Sequence, residues 1–230
     1  MMVRMMPYLP LFVALSTSSP FWQSRPSGLK DSRLAAYDEL PRTGIPELFR
    51  TPAEYKAYIA ALTRAGVIED SSQVWWAIRP SLKHPTLELR ALDCCTRVED
   101  TIAIAALYRA LARRLTRDPW ANWDLSPVAR AIAVENNWRA QRYGVTATFV
   151  DDVQGAVTVA DQLEHVIEEV RRGAEVLHCL AEVEHCRAIV GGGTSADAQL
   201  AVFEEASVTT QSDGEPLNAV NDWIVEATLQ

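Results

Sequence analysis

Nearly all of the β-signal in this chain is confined to one stretch, Gln73 to Leu92. Gln73-Val74-Trp75-Trp76-Ala77-Ile78-Arg79 is aromatic and β-branched, and Thr86-Leu87-Glu88-Leu89-Arg90-Ala91-Leu92 alternates apolar with polar. Pro80 to Pro85 can join them as a hairpin, and Ala147-Thr148-Phe149-Val150 reads as a third short strand. So few strands do not make a stable sheet alone. The sheet portion therefore calls for further strands from another segment or chain, and for helices covering one face. That gives an α+β class with an antiparallel sheet packed by several helices.

The rest of the chain is punctuated as helices. Thr51-Pro52-Ala53-Glu54 is a capping box with proline at the first helical position, closed by Gly66. Thr96-Arg97-Val98-Glu99 reads as a second box, opening a long helix with Val98, Ile102, Ala105, Leu111 and Leu115 near one face. Ser126-Pro127 opens a third helix that ends at Gly144. Helices from about Val159 to Val190 stop at Gly191-Gly192-Gly193; Thr194 and Ser195 can cap the next, and Pro216 starts the last.

Lysine and arginine total 22 against 30 acidic residues, a net charge of −8 among 230 residues. That balance disfavours a general nucleic-acid or anionic-membrane surface, since both partners are polyanions. It leaves room for a local basic pocket. With 48% hydrophobic and 23% charged residues, a globular core is expected. The four cysteines form no C-x-x-C motif, and Cys94 and Cys95 are adjacent, which indicates a reduced, cytoplasmic protein. Arg4, the apolar run Leu9 to Leu15 and then Ser16-Thr17-Ser18-Ser19 imitate a secretory leader. The run is too short and too interrupted by proline to span a bilayer. An exported leader and a buried helix both remain open on this pattern.

Alternation places Glu88 and Arg90 on one strand face, their α-carbons roughly 7 Å apart. Such a pair can hold a metal ion and a phosphate oxygen, or it can be a structural ion pair on a solvated face. With a hairpin centred on residues 82 and 83, Arg79 pairs near Thr86 and flanks Glu88, giving an Arg–Glu–Arg cluster beside Trp75. Arg139 and Arg142 share a helix face with Asn136 one turn earlier. They suit either an anion site or simply the negative end of the helix dipole. His178-Cys179 and His185-Cys186 lie on a probable helix with a rise of roughly 10.5 Å between them, too far for two ligands of one zinc. Gly191-Gly192-Gly193-Thr194 lacks the lysine and the preceding strand of a phosphate loop.

In order along the chain, PYLPLFVALSTSSPFW, AAYDELPRTGIPELF, WWAIRPSLKHPTLELRALDCCTRVEDTIAIAALYRAL, ENNWRAQRYG and GTSADAQLAVF resemble the type 2 glutamate–cysteine ligases, a family of carboxylate–amine ligases. The resemblance runs from about Met6 to near Gln230. It implies a fold related to glutamine synthetase, in which an antiparallel sheet forms a funnel for Mg-ATP, and it makes the Leu9–Leu15 run an internal helix. It implies an ATP-dependent ligase that forms an amide from an amino-acid carboxylate and an amine, such as glutamate and cysteine, through an acyl-phosphate. Carried over, Glu88 is a metal ligand for Mg2+, Arg90 and Arg79 are the catalytic anion contacts, and Arg139 and Arg142 contact the cofactor, ATP.

The resemblance also implies one domain over residues 1–230, corresponding to the C-terminal portion of the ligase. Relatives begin with a Gly-x-Glu-Glu-Glu strand and a histidine-rich strand that have no counterpart here. The chain alone is then expected to be weakly active or inactive; the alternatives are an inactive or split-enzyme fragment that acts only with a separate N-terminal half, or a helical interaction module. Exposed sheet edges favour a homodimer. No nucleic-acid or membrane partner is expected. Ser18 stands where many relatives have asparagine, and Ala77 where many have aspartate.

Overall fold

A computed structural model describes residues 1–209 and 215–229. In chain order the elements are α1 (Met2–Met5), α2 (Leu9–Ser16), β1 (Phe21–Trp22), β2 (Arg25–Pro26), α3 (Ser32–Tyr37), α4 (Pro52–Arg64), β3 (Ile78–Pro80), β4 (Leu87–Leu89), α5 (Val98–Arg117) and α6 (Pro127–Tyr143). They continue with β5 (Thr148–Asp151), β6 (Gly155–Thr158), α7 (Val159–Val176), α8 (Leu180–Gly192), α9 (Ser195–Thr209) and α10 (Glu215–Thr228). The class is α+β, mostly helical, with small antiparallel sheets.

The core is built around α2. All of its residues are buried, and it packs against α5, α6, α7 and α8. Continuous apolarity explains this, because a helix without a polar face has to be covered on every side. The run that imitates a leader is therefore the centre of the hydrophobic core. Its neighbours supply conventional apolar stripes. On α7 these are Leu163, Val166, Ile167, Val170 and Ala174. Among the described residues, no helix is long and apolar enough to cross a membrane.

Local signals set several helix starts. Thr51 Oγ1 accepts the Glu54 N–H at 3.2 Å, and Ser126 Oγ accepts the Ala129 N–H at 3.1 Å; each is followed by proline. At α9 the side chain of Asp197 accepts the Thr194 N–H at 2.9 Å. The box expected at Thr96 does not form. Thr96 Oγ1 is hydrogen-bonded to Ser195 Oγ instead, and Arg97 precedes α5 with no side-chain cap. The expected core face of α5 is also corrected. Leu111 and Leu115 are buried, together with Ala103, Ile104, Ala106, Leu107 and Ala110, whereas Val98 and Ile102 are 61% and 50% exposed. Ala105 is exposed with them. The apolar residues of α5 form two stripes, and the buried one, with Ala103, Ala106 and Ala110, packs against α7 and α8.

The strands form separate two-stranded ladders, β1–β2, β3–β4 and β5–β6. The third strand expected near Ala147–Val150 exists as β5, but it pairs with β6, not with the central hairpin. The central strands are also shorter than their composition indicates, and Gln73 to Ala77 lie outside β3. His178 has a φ of +53° and breaks the chain between α7 and α8. It therefore does not sit on one helix with His185.

Gly144 closes α6 at φ +55° and ψ −135°, a region open essentially to glycine alone. A Cβ there would lie 2.8 Å from Lys30 Cδ and 3.1 Å from Thr17 Oγ1. Gly144→Ala is expected to destabilise the chain by about 1–3 kcal/mol, measured as a shift in the urea midpoint with an unchanged slope.

Candidate functional site

The β3–β4 register places Arg79 directly opposite Glu88, and Ile78 opposite Leu89. The sequence expectation put Arg79 near Thr86, flanking Glu88. The segment Ser81–Thr86 carries no tight-turn signal to fix the register, and the apolar pairing of Ile78 with Leu89 sets it instead. Arg79 Nε donates to Glu88 Oε2 at 2.9 Å, and Arg90 Nη1 lies 3.7 Å from the same oxygen. The Arg–Glu–Arg cluster is thus assembled on one face, with Glu88 between the guanidinium groups.

The members differ in freedom. Arg79 is the most enclosed, its side chain 11% exposed against 33% for Glu88. Its Nη1 also donates to the carbonyl of Val74 at 2.7 Å and to that of Ser72. Arg90 Nη2 donates to Tyr37 Oη at 3.1 Å, and its Nε is buried without a partner among the described residues. Hydrogen bonds from Arg79 and then Ser81, with the charges of both arginines, hold the Glu88 carboxyl below the usual carboxylate range. A glutamate kept ionised between two cations fixes their forks in place, and the partly exposed Arg90 can then meet an anionic oxygen.

Arg139 and Arg142 stand apart from this cluster. Arg139 Nε donates to the Thr148 carbonyl, its Nη1 is 3.6 Å from Glu135 Oε1, and both arginines approach the Tyr143 ring at 5.9 Å. Arg142 packs against Gly28, where an added Cβ would lie 2.5 Å from its Nη1. Asn136 is committed to the strand, donating to the Val150 carbonyl at 2.9 Å and accepting its N–H at 2.7 Å. The two regions meet at the end of α3, where Tyr37 takes Arg90 and Asp38 Oδ2 takes Gln141 Nε2 at 3.5 Å.

Beside the hairpin lies a polar group not singled out in the sequence. Asp93 accepts from the Ser18 N–H at 3.0 Å, Ser19 Oγ at 2.6 Å and Arg33 Nε at 3.1 Å. A cleft of about 360 Å³ opens there, lined by Arg33, Asp93, Cys94 and Cys95 among others. A signal for Asp93 was present. It follows Leu87, Leu89 and Ala91 at the same parity, which puts a carboxylate on the inward face of the extended segment. The Ser18-Ser19-Pro20 turn is thereby tied to the chain leaving β4.

Among the described residues, no group of three or more His, Cys, Asp and Glu is assembled for a metal ion. Glu88 is one carboxylate between two guanidinium groups. That donor set does not by itself fit Mg2+, which takes a near-octahedral shell of oxygens.

The model of the glutamate-cysteine ligase family 2 (GCS2) matches residues 1–221. Proteins named "Putative glutamate--cysteine ligase 2" from Bradyrhizobium sp. strains ORS 278 and BTAi1 are each 56% identical over 228 residues, covering 99% of this chain and 54% of theirs. A Rhodospirillum rubrum protein of the same name is 45% identical over 230 residues, covering 100% of this chain and 59% of its own. The chain spans about half the length of the curated relatives it matches.

Proposed function

The chain belongs to glutamate–cysteine ligase family 2, and from that premise we propose that it carries part of an ATP-dependent carboxylate–amine ligase acting on glutamate and cysteine or a similar amine. A substrate carboxylate takes the terminal phosphoryl group of ATP to give an acyl phosphate and ADP. The amine then attacks the acyl carbon, phosphate leaves, and the amine's proton passes to solvent as the amide forms. Such chemistry asks the protein mainly for positioning and for cationic donors around transferring oxygens.

The observation that supports this reading is the Arg79–Glu88–Arg90 array on one face of the hairpin. In it Arg90 presents its fork to an anionic oxygen, Arg79 anchors the strand pair, and Glu88 orients both. Arg139 and Arg142 are proposed as contacts to the nucleotide's anionic groups at the far side of α3. No step is assigned to a metal ion.

The test is ADP release from Mg-ATP with glutamate and cysteine supplied singly and together. It is run on this chain alone and with the remainder of a full-length relative supplied in trans. Release that needs both amino acids is the expected result. Absence of glutamate-dependent release in both formats overturns the proposal.

A further inference from the structure

At the Ser18–Ser19 turn the buried carboxylate of Asp31 and that of Asp93, whose side chain is 5% exposed, face one hydroxyl. Asp31 caps α3, its Oδ1 accepting the Leu34 N–H at 2.8 Å. Ser19 Oγ lies 3.4 Å from that same oxygen and 2.6 Å from Asp93 Oδ2. The hydroxyl has a single proton, and the shorter distance commits it to Asp93. Asp31 is 0% exposed, and its Oδ2 is buried with no partner among the described residues.

The donors around the pair are unequally divided. Asp93 receives the Ser18 and Cys94 N–H groups, the Ser19 hydroxyl and the Arg33 guanidinium. Asp31 has one N–H. Lys30, its neighbour in the chain, is turned away onto Asp197. The charged groups facing Asp31 are thus Asp93, from the segment after β4, and Arg33, from α3. A buried carboxylate with a like charge across one hydroxyl and an unpartnered oxygen is costlier than its neutral form, which carries no charge.

We propose that Asp31, Ser19 and Asp93 form a coupled site that holds one proton on Asp31, and whose deprotonation weakens the join between the Ser18–Ser19 turn and α3. The join is a parallel bridge between Ser19 and Asp31. The same turn is held on its other side by Gln199 of α9, whose Nε2 donates to the Ser18 carbonyl at 2.8 Å. One proton therefore bears on the contact of α3, the turn and α9. Burial first and Asp93 second push the Asp31 carboxyl up to about 7. The inference stands independently of the ligase reading, and its test involves no turnover.

Because the folded-state value is raised, the folded protein binds more protons than the unfolded chain between about pH 4 and 7. The stabilisation is fully present below that window and lost as pH rises through it. Urea unfolding is measured across this range for the wild type and for Asp31→Asn, which keeps shape and removes titration. Relative to the variant, the wild-type folding constant is expected to fall by up to about tenfold per pH unit. Aspartate carboxyl 13C shifts in the wild type should show one group titrating near neutrality, with a midpoint lowered in Asp93→Asn. Parallel pH profiles for wild type and variant overturn the proposal. Should Asp31→Asn not fold, the wild-type carboxyl titration decides alone, and all aspartates titrating in the ordinary acidic range overturn it.

Discussion

Phe12→Ala is expected to remove a large share of the chain's net stability. Phe12 is 0% exposed and lies mid-way along α2, where no residue reaches solvent. Its ring meets that of Tyr108 edge-on, 5.9 Å between centroids at 78°. Truncating a buried phenylalanine costs about 3–5 kcal/mol through lost transfer energy and the cavity left behind, and the lost aromatic contact adds to it. Domains of this size are stable by only about 5–15 kcal/mol. The comparison is Ile102→Ala on α5, half exposed and expected to change stability by less than about 0.5 kcal/mol. Circular dichroism during urea unfolding reads both. Equal midpoints for the two variants would mean that the apolar run is not the centre of the core.

This contrast bears on what the sequence makes legible. Ser126-Pro127 and Thr51-Pro52 announced their helices because a cap and a proline act within one turn. Thr96 offered a capping hydroxyl without the proline and did not act on it, because a partner distant in the chain, Ser195, claimed that hydroxyl. On α5 periodicity alone could not choose between two apolar stripes, since the choice is made by what packs against them. The carboxylate and guanidinium of Glu88 and Arg90 were readable from alternation. The position of Arg79 opposite Glu88 was not, because register depends on the partner strand. Asp31 and Asp93 meet only through the folded path of the Ser18–Ser19 turn, and local pattern is blind to that.

Glu88→Gln is the variant that separates a working array from a decorative ion pair. The side chain is 33% exposed, and partly exposed pairs contribute about 0–1 kcal/mol, so the variant should fold with nearly unchanged stability. The neutral amide keeps the shape but no longer attracts Arg79 and Arg90 as a charge. Arg79 retains the carbonyls of Ser72 and Val74; Arg90 keeps only Tyr37 among the partners described above, so Arg90 is the fork set free. Displacing a positioning group by about 1 Å can cost a hundredfold in rate. With the remainder of a relative supplied in trans, as in the test of the proposed ligase activity, glutamate- and cysteine-dependent ADP release is therefore expected to fall by about a hundredfold or more, while the urea midpoint moves little. Arg90→Lys should share the defect, because a lysine cannot offer two parallel donors to one anionic group. If both variants keep full turnover at wild-type stability, the array is a surface ion pair and the catalytic role passes to other residues of the family.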